Sequence, residues 1–209
     1  MSAAPWTDVS QREALAAKVR ELLERDDRVD TVAFFGSLAT GKSDEFSDID
    51  LVAKLRPGIV DRDFFADLPL VVADVGPSVA GWSFQALSTG SYGGSFLFDE
   101  YPLFWEVDIA CISTDPTDPT DLLQTYRWEQ IYKVWLSAVK AVARAQARVD
   151  YVEGLVARHQ PVAPTPAHNG TTRLRALLDA IRLRKVEKGD PYQRLHERCE
   201  ELLDLLSQM

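Results

Sequence analysis

The segment Val32-Ala-Phe-Phe-Gly-Ser-Leu-Ala-Thr-Gly-Lys-Ser-Asp-Glu-Phe-Ser-Asp-Ile-Asp-Leu-Val-Ala53 constrains the fold more than any other part of the chain. An apolar run reaches a Gly-Ser turn, a short polar stretch follows, and Asp48-Ile49-Asp50 leads into a second apolar run. Side chains alternate across a strand, so Asp48 and Asp50 project together from one sheet surface. Adjacent carboxylates repel, which ordinarily drives a proton onto one of them. A divalent cation removes that conflict, and oxygen ligands of this kind suit Mg²⁺. Gly36 and Ser37 are small enough for the backbone to approach another group, such as a phosphate held by the same ion. The segment reads as a metal–triphosphate site on a strand–turn–strand frame. An acidic bend between two strands uses the same residue types and is the plain alternative.

A third acid comes from residues 101–112, Tyr-Pro-Leu-Phe-Trp-Glu-Val-Asp-Ile-Ala-Cys-Ile, whose aromatic and β-branched content predicts a strand. Trp105, Val107 and Ile109 fall on one side, with Glu106, Asp108 and Ala110 on the other. Asp108 and Glu106 are therefore rivals for one role, and a solvated strand face accounts for both equally well.

The arrangement resembles the nucleotidyltransferase superfamily that includes DNA polymerase beta and the antibiotic-modifying nucleotidyltransferases. The family pattern is a Gly-Ser pair on a helix-opening turn, Asp-x-Asp at the start of the next strand, and a third carboxylate on a later strand. Gly36 and Ser37, Asp48 and Asp50, and Asp108 match it, the last flanked by Val107 and Ile109. The resemblance covers residues 30–112. It implies an α/β fold, with a mixed β-sheet nucleotidyltransferase domain and flanking helices followed by a C-terminal all-α domain. That plan is most like the aminoglycoside or lincosamide nucleotidyltransferases.

The implied reaction moves a nucleoside monophosphate from an NTP, ATP in the first instance, to a hydroxyl of a small molecule and releases pyrophosphate. Under the resemblance Asp48, Asp50 and Asp108 are the catalytic and metal-binding residues for two Mg²⁺ ions, and Gly36 and Ser37 bind the nucleotide. The base that takes the acceptor proton is open among Asp108, Glu106, Glu100 and Glu129. Two other readings compete: an antitoxin-type enzyme that modifies a partner protein, and a non-catalytic binding module. The long helical tail counts against the first, and the presence of all three acids against the second.

Composition fits a soluble enzyme, with 46% apolar and 26% charged residues. No run approaches the roughly 18 apolar residues of a membrane span, and Met1-Ser-Ala-Ala-Pro-Trp-Thr-Asp lacks the features of a signal peptide. Two isolated cysteines, Cys111 and Cys199, suit a reducing compartment, so a cytoplasmic location is expected. Residues 1–139 hold 11 Lys and Arg against 23 Asp and Glu, whereas residues 140–209 hold 12 against 9. An acidic catalytic half disfavours nucleic acid, whose affinity comes from cations on phosphates. It favours a cationic acceptor such as an aminoglycoside, although acidic surface also serves solubility alone.

Two domains are expected, a catalytic one over residues 1–114 and a helical one over 119–209, with Asp115-Pro-Thr-Asp-Pro-Thr120 at the junction. Ser10-Gln-Arg-Glu13 predicts a capping box opening a helix to Arg25. Strands are expected over 29–35, 49–55, 70–75, 82–87, 96–98 and 103–112, with a short helix over 61–68 and a turn over 89–95. Asp118 with Pro119 opens the tail helices, which resume over 172–188 and 192–206. Arg182, Arg184, Lys185 and Lys188 suggest a solvated basic face. The Trp residues 82, 105, 128 and 135 read as core. His159, His168 and His196 lack metal-ligand spacing.

Overall fold

A computed structural model describes residues 5–85, 91–114, 127–144, 170–183 and 192–208. The chain divides into two compact units, residues 1–126 and 127–209. No helix among the described residues is long and apolar enough to cross a membrane.

The first unit begins with helix α1, Val9–Arg25, whose stripe of Leu15, Ala16, Val19 and Leu23 is buried. Asp8 stands at its N-cap and accepts bonds from the Ser10 hydroxyl and the Gln11 side chain. The expected Ser10–Glu13 capping box is therefore not the device that opens this helix; Ser10 lies inside the first turn. Strand β1, Val29–Phe34, leads through the short helix α2, Gly36–Ala39, to strand β2, Ile49–Leu55.

Helix α3, Asp61–Val71, runs further than expected and closes in a 3₁₀ turn, Ala73–Val75. The strand expected over 70–75 is absent. Phe64, Leu68, Val72 and Val75 are buried while Leu70 is exposed. This spacing of four, four and three is helical, and it outweighs the β preference of two adjacent valines.

Three more strands follow: β3, Ser78–Gln85, β4, Ser91–Phe98, and β5, Val107–Ile112. The sheet order is β1-β2-β5-β4-β3, with β2 and β5 parallel and the other neighbours antiparallel. Much of the expected 89–95 turn is thus strand, because Gly93 and Gly94 are paired on both sides. A side chain at Gly94 would meet the Phe96 ring at 3.0 Å and Leu68 at 3.3 Å, so this strand packs α3 through a bare backbone. Residues 103–106, expected as strand, instead turn ahead of β5, with the Trp105 amide donating to the Pro102 carbonyl at 2.9 Å. Helix α1 packs on β1 and β2, and α3 on β4 and β5.

The second unit contains α4, Arg127–Ala143, α5, Gly170–Leu183, and α6, Gln193–Ser207. Tyr132, Trp135 and Val139 of α4, Leu174, Leu178 and Ile181 of α5, and Leu195, Cys199 and Leu203 of α6 form its core. The Trp135 indole donates to the Leu174 carbonyl at 3.0 Å, so its polar edge is satisfied inside that core. The expected Asp118 cap, the proline-rich linker near 161–166 and the Gly189-Asp190-Pro191 break lie outside the described residues.

Candidate active site

Parallel pairing of β2 with β5 builds the acid face. Ile49 aligns with Val107 and Asp50 with Asp108, and the Ile49 amide donates to the Glu106 carbonyl at 2.8 Å. Ile49, Leu51, Val107 and Ile109 are fully buried on one side of the sheet. That apolar anchorage turns Asp48, Asp50, Glu106 and Asp108 to the other side, since one residue of slippage would exchange the two sets. Carboxylate oxygens of Asp48, Glu106 and Asp108 all lie within 4.8 Å of one another, and Glu106 is only 3% exposed. Ser95 of β4 pairs with Asp108, and its hydroxyl donates to Asp108 Oδ1.

Asp50 shares this face by register but stands outside the three-acid cluster. Its carboxylate lies over Gly36, where a Cβ would overlap Oδ2 and sit 3.1 Å from Cγ. Gly36 also has φ +63°, a left-handed conformation that glycine adopts without steric penalty. The Phe35 amide donates to the Asp50 carbonyl at 3.0 Å, tying the turn to β2. The Ser37 carbonyl accepts from the Lys42 amide at 3.0 Å, while its hydroxyl oxygen is buried and has no hydrogen-bond partner among the described residues.

The loop that delivers Asp48 is tightly held. Arg12 of α1 is fully buried, and its guanidinium donates to the Asp44 carbonyl and, at 3.0 Å, to the Ser43 hydroxyl. Asp44 Oδ1 accepts from the Ser47 hydroxyl at 2.7 Å and from the Phe46 amide at 3.1 Å. The Trp105 indole donates to the Glu45 carbonyl at 3.0 Å, and Phe46 meets Phe104 edge-on at 5.2 Å between centroids. Helix α1 and the segment before β5 therefore both fasten the turn before Asp48.

This donor set fits a hard divalent ion. Octahedral Mg²⁺ with ligands near 2.1 Å sets neighbouring oxygens about 3.0 Å apart and opposite ones about 4.2 Å apart. The acid cluster lies close to that range. Two like charges at such a separation cost on the order of 3 kcal/mol at an effective dielectric near 20, a repulsion a cation would relieve. The Ser37 hydroxyl is a further polar atom suited to a phosphate oxygen or an ion.

The remaining candidates lie elsewhere. Glu100 is exposed and outside the cluster, and the side chain of Glu129 lies outside the described residues. Trp105 and Trp135 are buried in the cores of their own units, whereas the side chains of Trp82 and Trp128 lie outside the described residues, as do His159 and His168. His196 is buried against Tyr132, 3.3 Å from its hydroxyl, and burial pushes its pKa down. Arg182 pairs with Glu200 at 3.3 Å, while the rest of the expected basic cluster is not among the described residues. Burial, with a smaller contribution from Asp61, pushes the Cys111 thiol up to about 12, and burial raises Cys199 too. Neither thiol is poised as a nucleophile. Glu106 is the residue that sequence reasoning left out of the ligand set. Its two-residue spacing from Asp108 put it on the same face, but its approach to Asp48 follows only from the β2–β5 register.

Residues 16–67 match the family model of the nucleotidyltransferase domain, a span that holds the Gly36–Ser37 turn, Asp48 and Asp50. No curated protein matches the chain significantly. Among solved structures, the polymerase core of TRAMP, an RNA surveillance complex, is 11% identical with a TM-score of 0.38, covering 98% of this chain. This chain spans 59% of that one's length. The CD-NTase CdnG of Bradyrhizobium diazoefficiens, solved with GTP, is 10% identical with a TM-score of 0.27, covering 98% of this chain and 92% of its own. The mixed sheet with flanking helices and the matched segment define a nucleotidyltransferase-type α/β domain.

Proposed function

We propose that the protein is an enzyme that transfers a nucleoside monophosphate, AMP from ATP, to a hydroxyl of a small molecule and releases pyrophosphate. The observation that carries this reading is the convergence of Asp48, Glu106 and Asp108, with Asp50 in register beside Asp108. Asp48, Asp50 and Asp108, joined by Glu106, would hold two Mg²⁺ ions. Bound there, such ions would supply positive charge to the triphosphate and to the entering and leaving oxygens of an in-line displacement. The chain's own residues do the rest. The Ser37 hydroxyl of the turn, buried and without a hydrogen-bond partner among the described residues, would serve a phosphate oxygen. The anchored Ser43–Ser47 turn holds Asp48 in place, so that substrate meets a preorganised site. A carboxylate of Asp108 or Glu106 accepts the proton of the acceptor hydroxyl, since either is within reach of a group seated at the cluster.

The acidic balance of residues 1–139 supports a cationic acceptor, and an aminoglycoside-like or lincosamide-like antibiotic fits that chemistry, which would make the enzyme a resistance determinant. Two buried, unbridged cysteines support a cytoplasmic setting.

A screen of NTPs and candidate hydroxyl acceptors with Mg²⁺, read as pyrophosphate release, tests the proposal. Asp48→Asn and Asp108→Asn are each expected to lose transfer by at least about 100-fold with the fold intact by circular dichroism. Undiminished transfer in either variant would overturn the ion-site assignment. Modification of a protein in place of every small acceptor would overturn the substrate class.

A further inference from the structure

Ser95 is fully buried in β4, between Gly94 and Phe96. Antiparallel pairing sets it directly beside Asp108, and its hydroxyl donates to Asp108 Oδ1. An aspartate carboxylate turns in a broad two-fold torsional well. Here Asp48 and Glu106 present oxygens within 4.8 Å, and their charge favours rotation of Asp108 away from them. The Ser95 hydroxyl resists that rotation. Bonds from a hydroxyl to a carboxylate are roughly twice as strong as neutral ones, and the serine would forfeit this bond inside a dry strand. The strand fixes its backbone on both sides, through β3 and through β5.

We propose that Ser95 is a positioning residue for nucleotidyl transfer, holding the Asp108 carboxylate so that Asp48, Glu106 and Asp108 present their oxygens to a divalent cation together. The proposal rests on the reading of those three acids as an ion site. Ser95 itself touches neither nucleotide nor acceptor. It acts only through the Asp108 carboxylate, and its effect is read in how readily the cation is bound.

The test uses the full chain and two probes, Mn²⁺ alone and Mn²⁺ with ATP, with affinity measured by calorimetry. Ser95→Ala is expected to weaken Mn²⁺ binding by about 10-fold or more, as removal of outer partners of metal ligands does. Ser95→Thr keeps the hydroxyl on a residue suited to strands and is expected to restore binding to within about threefold of wild type. In transfer assays the Ser95→Ala loss should sit in the Mg²⁺ requirement, with kcat regained at saturating Mg²⁺. A merely unfolded fraction would lower kcat at every concentration. Should Ser95→Ala not fold, Ser95→Cys replaces it, being of similar size but a poor donor.

Wild-type affinity in the folded donor-free variant overturns the proposal. Equal losses in that variant and in folded Ser95→Thr also overturn it, because the hydroxyl would then be irrelevant. If the wild-type chain takes up no Mn²⁺ with or without ATP, the ion site itself fails. That result is distinct from a wild type that binds and a Ser95→Ala that binds equally.

Discussion

Replacing Gly36 with Ala tests how the Gly-Ser turn and the acid face are joined. At φ +63° an L-residue carries a left-handed cost of about 1–2 kcal/mol. The added methyl would also overlap Asp50 Oδ2, and overpacking of this kind typically adds about 1–3 kcal/mol. Gly41 is the internal control, with φ +65° and nothing within 4 Å of the position a methyl would take. Gly41→Ala therefore bears the backbone cost alone. For a chain of this size each kcal/mol shifts Tm by about 2–4 °C, so Gly36→Ala is expected to melt measurably below Gly41→Ala. Asp50 can relieve the overlap by turning its carboxylate aside, which converts lost stability into lost function. A misplacement near 1 Å at a reacting centre costs about 100-fold. Thermal unfolding by circular dichroism, paired with Mn²⁺·ATP calorimetry and pyrophosphate release, reads both effects. If Gly36→Ala matches Gly41→Ala in Tm, in nucleotide binding and in transfer, Asp50 has no need of the space above Gly36 and the reasoning fails.

Two further outcomes follow from the loop and from the helical unit. Arg12→Met keeps the buried stem but removes the bonds to Ser43 and Asp44, and is expected to cost about 1–3 kcal/mol in urea unfolding followed by Trp fluorescence. A midpoint at or above wild type would mean that shedding a buried charge outweighs the clamp. Burial holds His196 below its ordinary 6.5, with Glu200 and Asp179 opposing that shift and Arg182 reinforcing it. The unfolded chain therefore takes up the proton first as pH falls, so this contribution is complete above about pH 6.5 and is lost on descent toward the folded-state value. Protection of α6 amides from hydrogen exchange should fall over that window in the full chain and fall less in His196→Asn. An equal fall in both would assign the pH response to another group.

How much of this was legible in advance depends on how local each feature is. The common face of Asp48 and Asp50, on either side of Ile49 at the start of β2, and the left-handed turn at Gly36 are local features that neighbouring residues suffice to suggest. The mixed sheet with flanking helices was legible for the same reason, since β1, β2 and β5 each carry their own apolar faces. Residues 70–75 misled because two valines prefer strands, while the deciding contacts come from Phe64 and Leu68 in the preceding turns. Gly93 and Gly94 carry turn chemistry and become strand only because two neighbours pair with them.

The place of Glu106 is harder still to see from sequence. Its membership in the cluster depends on the parallel register that sets Asp50 beside Asp108 and so brings Glu106 level with Asp48. Parallel strands meet through a long crossover, and no short-range pattern encodes their offset. What does encode it is apolar. Ile49 and Leu51 must lie beside Val107 and Ile109 to bury all four, and a shift by one residue would put acids in the core. The burial of four hydrocarbon side chains on one face thus turns the carboxylates to the other, so the fold's stability and its capacity to bind an ion have a common origin.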